Sequence, residues 1–266
     1  MIIDPDIVAA RIREIADAEI VPRFGRLKDT EISTKSSATD FVTVADQAAE
    51  NALRRILNDL YPAANFIGEE AVAQNPKLLE ALDDKGAFWI VDPLDGTRNF
   101  VQGRERFGSI VALIEDGEIR SGWIYGIPDQ RMCVASCGDG VRVDGVPVTA
   151  QPSSQAPLGL RYIGVLNEPY KTTMTPVLID RLDTRGVSCS AYAYLDLLAA
   201  KRSYGVFAQC LPWDHAAGIL AVRELGGRAT YLDDNTEYSP MPTYGRPLLV
   251  ARTQSIWDKI ATELEA

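Results

Sequence analysis

Residues 88–97, Phe-Trp-Ile-Val-Asp-Pro-Leu-Asp-Gly-Thr, limit what this chain can fold into more than any other stretch. Phe88 to Val91 are the aromatic and β-branched residues of a core strand. The apolar run stops at Asp92, and a second acid, Asp95, follows across Pro93-Leu94. Like charges this close at the mouth of a buried strand repel, and a divalent cation offsets that repulsion best. Gly96 and Thr97 come next. If they open a helix or tight turn, its free N–H groups face the acids and make a phosphate cradle beside a cation site. An Asx turn would account for Asp95-Gly96 but gives no reason for Asp92.

The rest of the composition narrows the chemistry. His215 is the only histidine, so a site needing two imidazole ligands cannot be built, and oxygen ligands favour Mg²⁺ or Mn²⁺ over zinc. The four cysteines, Cys133, Cys137, Cys189 and Cys210, form no C-x-x-C pair and read as buried free thiols. A formal net charge of −10 argues against a nucleic-acid backbone as partner. No apolar run reaches the roughly 20 residues of a membrane helix. The N-terminal residues lack a signal-peptide pattern, so the expectation is a cytoplasmic protein with no membrane partner.

A length of 266 residues suits one large domain or two packed lobes. Asp4-Pro5 starts a helix whose stripe is Val8, Ile12, Ile15 and Ala18, ending near Pro22. Residues 26–41 read as polar and irregular, and a second helix spans 45–61. Asn65–Ile67 is a short strand, residues 76–82 a helix, and another strand ends at Asp92. Ser109–Ile114 and Ile119–Tyr125 flank Glu115-Asp116-Gly117-Glu118, a hairpin signature, and strands at 131–135 and 140–148 continue the run. Residues 149–157 are the best internal boundary, dividing a lobe at 1–150 from one at 151–266. Beyond it strands at 159–165, 187–190, 204–207, 228–232 and 248–250 alternate with helices at 175–182, 192–200, 214–225 and 255–264. The first half is thus α+β with a meandering antiparallel sheet, and the second an α/β layer.

Three further segments carry acids. Gly68-Glu69-Glu70 sits at a strand end, where adjacent glutamates alone would read as solvated surface. Pro212-Trp213-Asp214-His215 opens a helix, and Asp214 alone would read as an N-cap. In Asp40 to Asp46, Thr43 reads as a cap and Asp46 as a first-turn acid. Carboxylates converging from neighbouring strand ends would build a two-metal site.

Taken together, the four segments resemble the inositol monophosphatase family of lithium-sensitive, Mg²⁺-dependent sugar phosphatases. Trp89 to Phe100 follows W-[IV]-[IV]-D-P-[IL]-D-G-T-x-N-F without departure. Trp213 to Gly218 and Glu224 to Gly227 follow W-D-x-A-A-G and E-x-G-G. Asp40 to Asp46 and Phe66 to Glu70 match D-x-V-T-x-A-D and F-I-G-E-E in order. The resemblance implies a layered αβαβα sandwich and hydrolysis of a small phosphorylated alcohol by metal-activated water attacking phosphorus in line. It implies that Glu69, Asp92 and the Leu94 carbonyl hold one Mg²⁺, that Asp92, Asp95 and Asp214 hold a second, and that Glu69 holds a third through water. It assigns Asp46 and Thr97 to the attacking water, Glu70 to support of the cluster, and Gly96 and Thr97 to the phosphate. Lys35 falls on a loop that closes near the metals. Mn²⁺ is an alternative activator, Ca²⁺ and Li⁺ are expected inhibitors, and a homodimer is expected by analogy.

The substrate pocket departs from the family pattern. Ala191-Tyr192-Ala193-Tyr194 stands where many members have G-[ST]-A-A, and Phe207 stands where many carry a glutamate for sugar hydroxyls. Lys35, Tyr192, Ala193, Tyr194 and Phe207 are therefore the expected pocket residues, and the tyrosines suit a flatter alcohol such as histidinol. Arg98-Asn99 replaces the Lys-Glu pair typical of bisphosphate nucleotidases, which counts against them. The rival class is a non-catalytic binder of a phosphorylated ligand or a protein, but Glu69, Asp92, Asp95, Thr97 and Asp214 are all present.

Overall fold

A computed structural model describes residues 3–35, 41–83, 85–149, 159–162, 170–182, 184–186 and 188–265. In chain order the first half holds α1 (Pro5–Ile15), β1 (Ile32–Thr34), β2 (Phe41–Thr43), α2 (Val44–Leu60), β3 (Ala64–Gly68), α3 (Glu69–Gln74), β4 (Ala87–Asp95) and α4 (Thr97–Val101). Strands β5 (Gly108–Glu115), β6 (Glu118–Gly126), β7 (Arg131–Ser136), β8 (Gly140–Val143) and β9 (Val146–Pro147) complete it. The second half holds β10 (Gly159–Tyr162), α5 (Tyr170–Pro176), β11 (Thr184–Gly186), α6 (Ser190–Leu198), β12 (Tyr204–Cys210), α7 (Pro212–Glu224), β13 (Arg228–Tyr231), β14 (Thr243–Ala251) and α8 (Gln254–Glu265).

Strands β3 to β9 lie in sequential order in one seven-stranded sheet, parallel only at β3–β4. The second sheet has the order β11-β10-β12-β14-β13 and mixes parallel and antiparallel pairs. Side-chain parity then sorts the core. Trp89 and Val91 of β4 pack with Val8, Ile12, Ala49 and Leu53 of α1 and α2 on one face. Phe88 and Ile90 face the other way and pack with Tyr194, Ala217, Ile219, Leu248 and Val250. That second cluster places α6 and α7 between the two sheets. Outside the smaller sheet, Val206 and Leu249 meet Trp257 and Ile260 of α8. The layers are therefore helix, sheet, helix, sheet, helix, and the αβαβα expectation holds. Among the described residues no helix is long and apolar enough to cross a membrane.

Several local expectations are corrected. The stretch at 26–41 contains β1, which pairs with β2, so it is not wholly irregular; residues 36–40, including Asp40, lie outside the described residues. Residues 76–83 form a 3₁₀ helix, and α3 follows Gly68 directly. The strand expected at 187–190 falls earlier, at β11, because Ser190 already begins α6. The boundary at 149–157 lies almost entirely outside the described residues. All four cysteines are free, but Cys137 is exposed, since it sits in the β7–β8 turn rather than in a strand.

Candidate active site

The two acids of the opening stretch reach the same place through a bulge. Asp92 and Asp95 are three residues apart, so a regular strand would send them to opposite faces. Opposite them, however, Asp92 pairs with Ile110 and Asp95 with Gly108, only two residues along β5. The extra residue restores the parity. Pro93 supplies no ladder donor, and its carbonyl accepts instead from the Ser109 hydroxyl at 2.6 Å. Asp92 follows Ile90 in parity and therefore points toward α7. There Asp214 completes a trio, with one carboxylate oxygen from each of Asp92, Asp95 and Asp214 lying within 4.8 Å of the others.

Asp214 is not an N-cap. Leu211 occupies that position, Pro212 opens α7, and Asp214 lies in the first turn. Asp92 Oδ1 accepts the Leu94 N–H at 3.0 Å, an Asx turn at the bulge. Asp95 Oδ2 accepts the Ala191 N–H at 2.6 Å and the Cys189 thiol at 2.9 Å, so the start of α6 grips it. Gly96 has φ +82°, and a Cβ there would meet the Arg106 carbonyl at 2.9 Å, so glycine is required on both counts.

The glutamates are not freely solvated, though Glu69 keeps partial exposure. Glu70 is buried, and Lys35 Nζ donates to Glu69 Oε1 at 2.7 Å and to Glu70 Oε1 at 2.6 Å. Glu50, which the motif reading missed, accepts the Glu70 and Ala71 N–H groups at 2.8 and 3.0 Å and so caps α3. Gly68 leaves room for it, since a Cβ there would meet Glu50 Oε2 at 2.3 Å. The available signal was its place on α2, four residues after Asp46 and so on the same helix face.

Asp46 has two roles. Its Oδ2 accepts the Thr43 N–H and hydroxyl at 2.8 and 2.6 Å, closing a capping box. Its Oδ1 lies 3.0 Å from the Thr97 hydroxyl, which is also 2.9 Å from the Leu94 carbonyl. One hydroxyl proton faces two acceptors, so one of them remains available to a further donor such as water.

The electrostatics follow from burial and crowding. Burial first, then Glu69, Asp95 and Asp214, hold the Asp92 carboxyl well above the usual range. Burial first, then Asp95 and Glu69, do the same to Asp214. Burial pushes Asp95 up to about 6 against the opposing bonds from Cys189, Ala191 and Ser190. Asp46 is likewise raised by burial to about 6. Glu70 is raised to about 8 by burial, then by Glu69, with Lys35 opposing.

The expected pocket residues are placed differently. Lys35 is at the cluster. Ala193, Tyr194 and Phe207 have no exposed surface and belong to the core. Tyr194 stacks on Phe207 at 5.8 Å, which removes the basis for a flat aromatic pocket. Tyr192 is buried too, with its hydroxyl donating to Asp129 at 2.8 Å and the Arg106 guanidinium over its ring at 4.6 Å. The reason is register: Ser190 and Ala191 form the first turn of α6, so Cys189 to Ala191 meet Asp95 and the tyrosines fall behind it.

A profile of the inositol monophosphatase family matches residues 6–266, nearly the whole chain. The chain belongs to that family. Among curated relatives, the inositol-1-monophosphatase of Rhizobium meliloti is 34% identical over 78% of this chain and 77% of its own. The Nus factor SuhB of Vibrio cholerae is 31% identical over 77% of each. A solved structure described as an IMPase/NADP phosphatase complexed with Mg²⁺ and phosphate superposes with a TM-score of 0.78 at 20% identity, covering 98% of this chain and 94% of that one. At that identity it supports the inositol monophosphatase fold.

Proposed function

We propose that this chain is a Mg²⁺-dependent phosphomonoesterase that hydrolyses a small phosphorylated alcohol. The observation that carries the reading is the convergence of Asp92, Asp95 and Asp214 within 4.8 Å, beside the Asp46–Thr97 pair. The donor set fits a hard divalent cation, being all carboxylate and carbonyl oxygen. The Lys35 ammonium, ion-paired with both Glu69 and Glu70, supports a cluster that draws positive charge. Glu69, Asp92, Asp95, Asp214 and the Leu94 carbonyl would hold the cations, with Glu70 supporting Glu69 through Lys35. Bound Mg²⁺ neutralises the carboxylates and supplies a Lewis acid for the phosphoryl oxygens. A related structure bearing Mg²⁺ and phosphate supports the same choice of ion.

The chain's own residues do the rest. The Thr97 hydroxyl, its proton given to Asp46 or the Leu94 carbonyl, accepts from a water, and Asp46, with its carboxyl raised by burial to about 6, accepts the proton that water sheds. Gly96 lets the backbone approach the phosphate, and the first N–H groups of α4 lack intrahelical partners to compete for it. The alcohol would lie on the open side, toward the half-exposed Arg106, since Tyr194 and Phe207 have no exposed surface.

The test is Mg²⁺-dependent phosphate release from a panel of inositol, sugar, histidinol and nucleotide phosphates, with Li⁺ and Ca²⁺ as inhibitors. Release from one class names the substrate. Because a relative carries the name Nus factor SuhB, a binding role is the second reading. Mg²⁺ and phosphate binding with no release from any ester would establish it and sink the hydrolase. Self-association to a dimer is proposed alongside and is read by sedimentation.

A further inference from the structure

We infer that Tyr194 and His215 are positioning residues for Asp214, fixing its spacing from Asp95 and thereby the affinity of the acidic cluster for a divalent cation. The inference rests on the cation-dependent reading above. His215 follows Asp214 in the first turn of α7 and is buried. Its Nε2 lies 3.0 Å from the Gln209 carbonyl, which can only accept, so Nε2 carries the proton. Nδ1 is then bare, and it accepts the Tyr194 O–H at 2.7 Å. Two hydrogen bonds of fixed direction thus run from α6 through the first turn of α7 to β12.

The same tyrosine grips α7 a second time. A Cβ on Gly218 would meet Tyr194 ring atoms at 2.2 Å, so the ring lies flat on the helix three residues beyond His215. Phe207 packs its ring edge-on to His215 at 4.8 Å and stacks on Tyr194. This anchoring matters because the start of α7 has no side-chain cap bond. Asp214 must also be held near two like-charged neighbours that push it away.

The geometric consequence lies in α6. Its first turn holds Asp95 through the Ala191 N–H, and its second holds α7 through Tyr194. One short helix therefore sets the distance between acids that arrive from different layers. Losing the Tyr194 hydroxyl loosens the first turn of α7, leaving the Ser190 hydroxyl as the tie from α6 to Asp214, and leaves Nδ1 without a donor.

The experiment measures Mg²⁺ binding to the full chain by calorimetry, together with kcat and KM at saturating Mg²⁺. Tyr194→Phe keeps the ring and should weaken Mg²⁺ binding by about two- to tenfold, the range of one net hydrogen bond, with KM for the ester unchanged. His215→Gln keeps a donor for Gln209 but moves its one acceptor, an amide oxygen on a flexible chain, away from the fixed place of Nδ1, and should shift the Kd in the same direction. The double variant should shift it no further than either single one. Ile260→Val, in the α8 core far from the acids, should lower the melting temperature without changing the Kd. If Tyr194→Phe does not fold, His215→Gln carries the same reading. Wild-type Mg²⁺ affinity in both positioning variants, or an equal shift in Ile260→Val, overturns the inference. Absence of Mg²⁺ binding by the wild type instead overturns the functional reading on which it rests.

Discussion

Replacing Asp92 by asparagine separates what the acid does for the fold from what it does for chemistry. The side chain keeps its shape, and an amide oxygen still accepts the Leu94 N–H now bonded at 3.0 Å. What disappears is a charge within 4.8 Å of Asp95 and Asp214. Two like charges at that separation, in an effective dielectric near 20, repel by about 3.5 kcal/mol. Because Asp92 is held well above the usual range, the folded state binds its proton more tightly than the unfolded chain. Stability from this group is therefore full below the unfolded pKa of about 4 and is lost as pH rises above it. Without divalent cations, Asp92→Asn should be about 3 kcal/mol more stable than wild type at pH 8, melting about 6–12 °C higher. At pH 5, where Asp92 already keeps its proton, the gain should shrink toward zero. Saturating Mg²⁺ should reverse the order, since only wild type gains by full binding. Phosphate release should fall more than about a hundredfold, beyond the usual loss for a residue that merely supports a metal ligand. Melting curves at both pH values, with and without Mg²⁺, and a phosphate-release assay check this. An Asp92→Asn chain less stable than wild type at pH 8, or one with near-normal turnover, would refute it.

The metal-free wild type should itself lose stability as pH rises from about 4, because the unfolded chain gives up protons that the fold retains on Asp46, raised by burial to about 6, and Glu70, raised by burial to about 8. Urea midpoints between pH 4 and 9 should fall and then level off, and Mg²⁺ should flatten the profile. Lys35→Met takes the shared ammonium from Glu69 and Glu70, and, since Glu70 largely keeps its proton at pH 7, should cost roughly 1–3 kcal/mol there in the metal-free chain, the range of hydrogen bonds lost from buried polar groups, read from the same titrations. Gly218→Ala drives a methyl group into the Tyr194 ring and should cost roughly 1–3 kcal/mol by overpacking; an unchanged urea midpoint would show that α6 and α7 are not in such contact.

The parts of this molecule legible from sequence are those set by local rules. Asp4-Pro5, the Thr43–Asp46 box and the hairpin around Gly117 are written in a few adjacent residues, and each forms where expected. What could not be read is set by register and by partners distant in sequence. A shift of three residues along α6 moves Cys189 to Ala191 onto Asp95 and sends Tyr194 into the core, and no local pattern distinguishes the two phases. The bulge that brings Asp92 and Asp95 to one side is invisible until β5 is laid beside β4. Glu50 looks like an ordinary helix acid until Gly68 and the Glu70 N–H are found against it.

The charge balance of the cluster dictates an order of binding. Asp46, Glu69, Glu70, Asp92, Asp95 and Asp214 bring six carboxyl groups together, and among the described residues Lys35 is the ammonium that contacts them. Even with several carboxyls protonated, a doubly negative phosphate ester meets net negative charge in a buried setting, where Coulomb repulsion is several-fold larger than in water. Adding divalent cations cancels most of that charge and turns repulsion into attraction. Inorganic phosphate should therefore bind only after Mg²⁺, and calorimetry should give no phosphate heat in chelator at pH 8 but a measurable Kd in excess Mg²⁺. Asp95→Asn, with one charge fewer, should still show no phosphate binding in chelator. Phosphate affinity in the metal-free wild type equal to that with Mg²⁺ would mean that the backbone at Gly96 and Thr97 holds the anion without help, and that the acids serve some purpose other than recruiting cations to it.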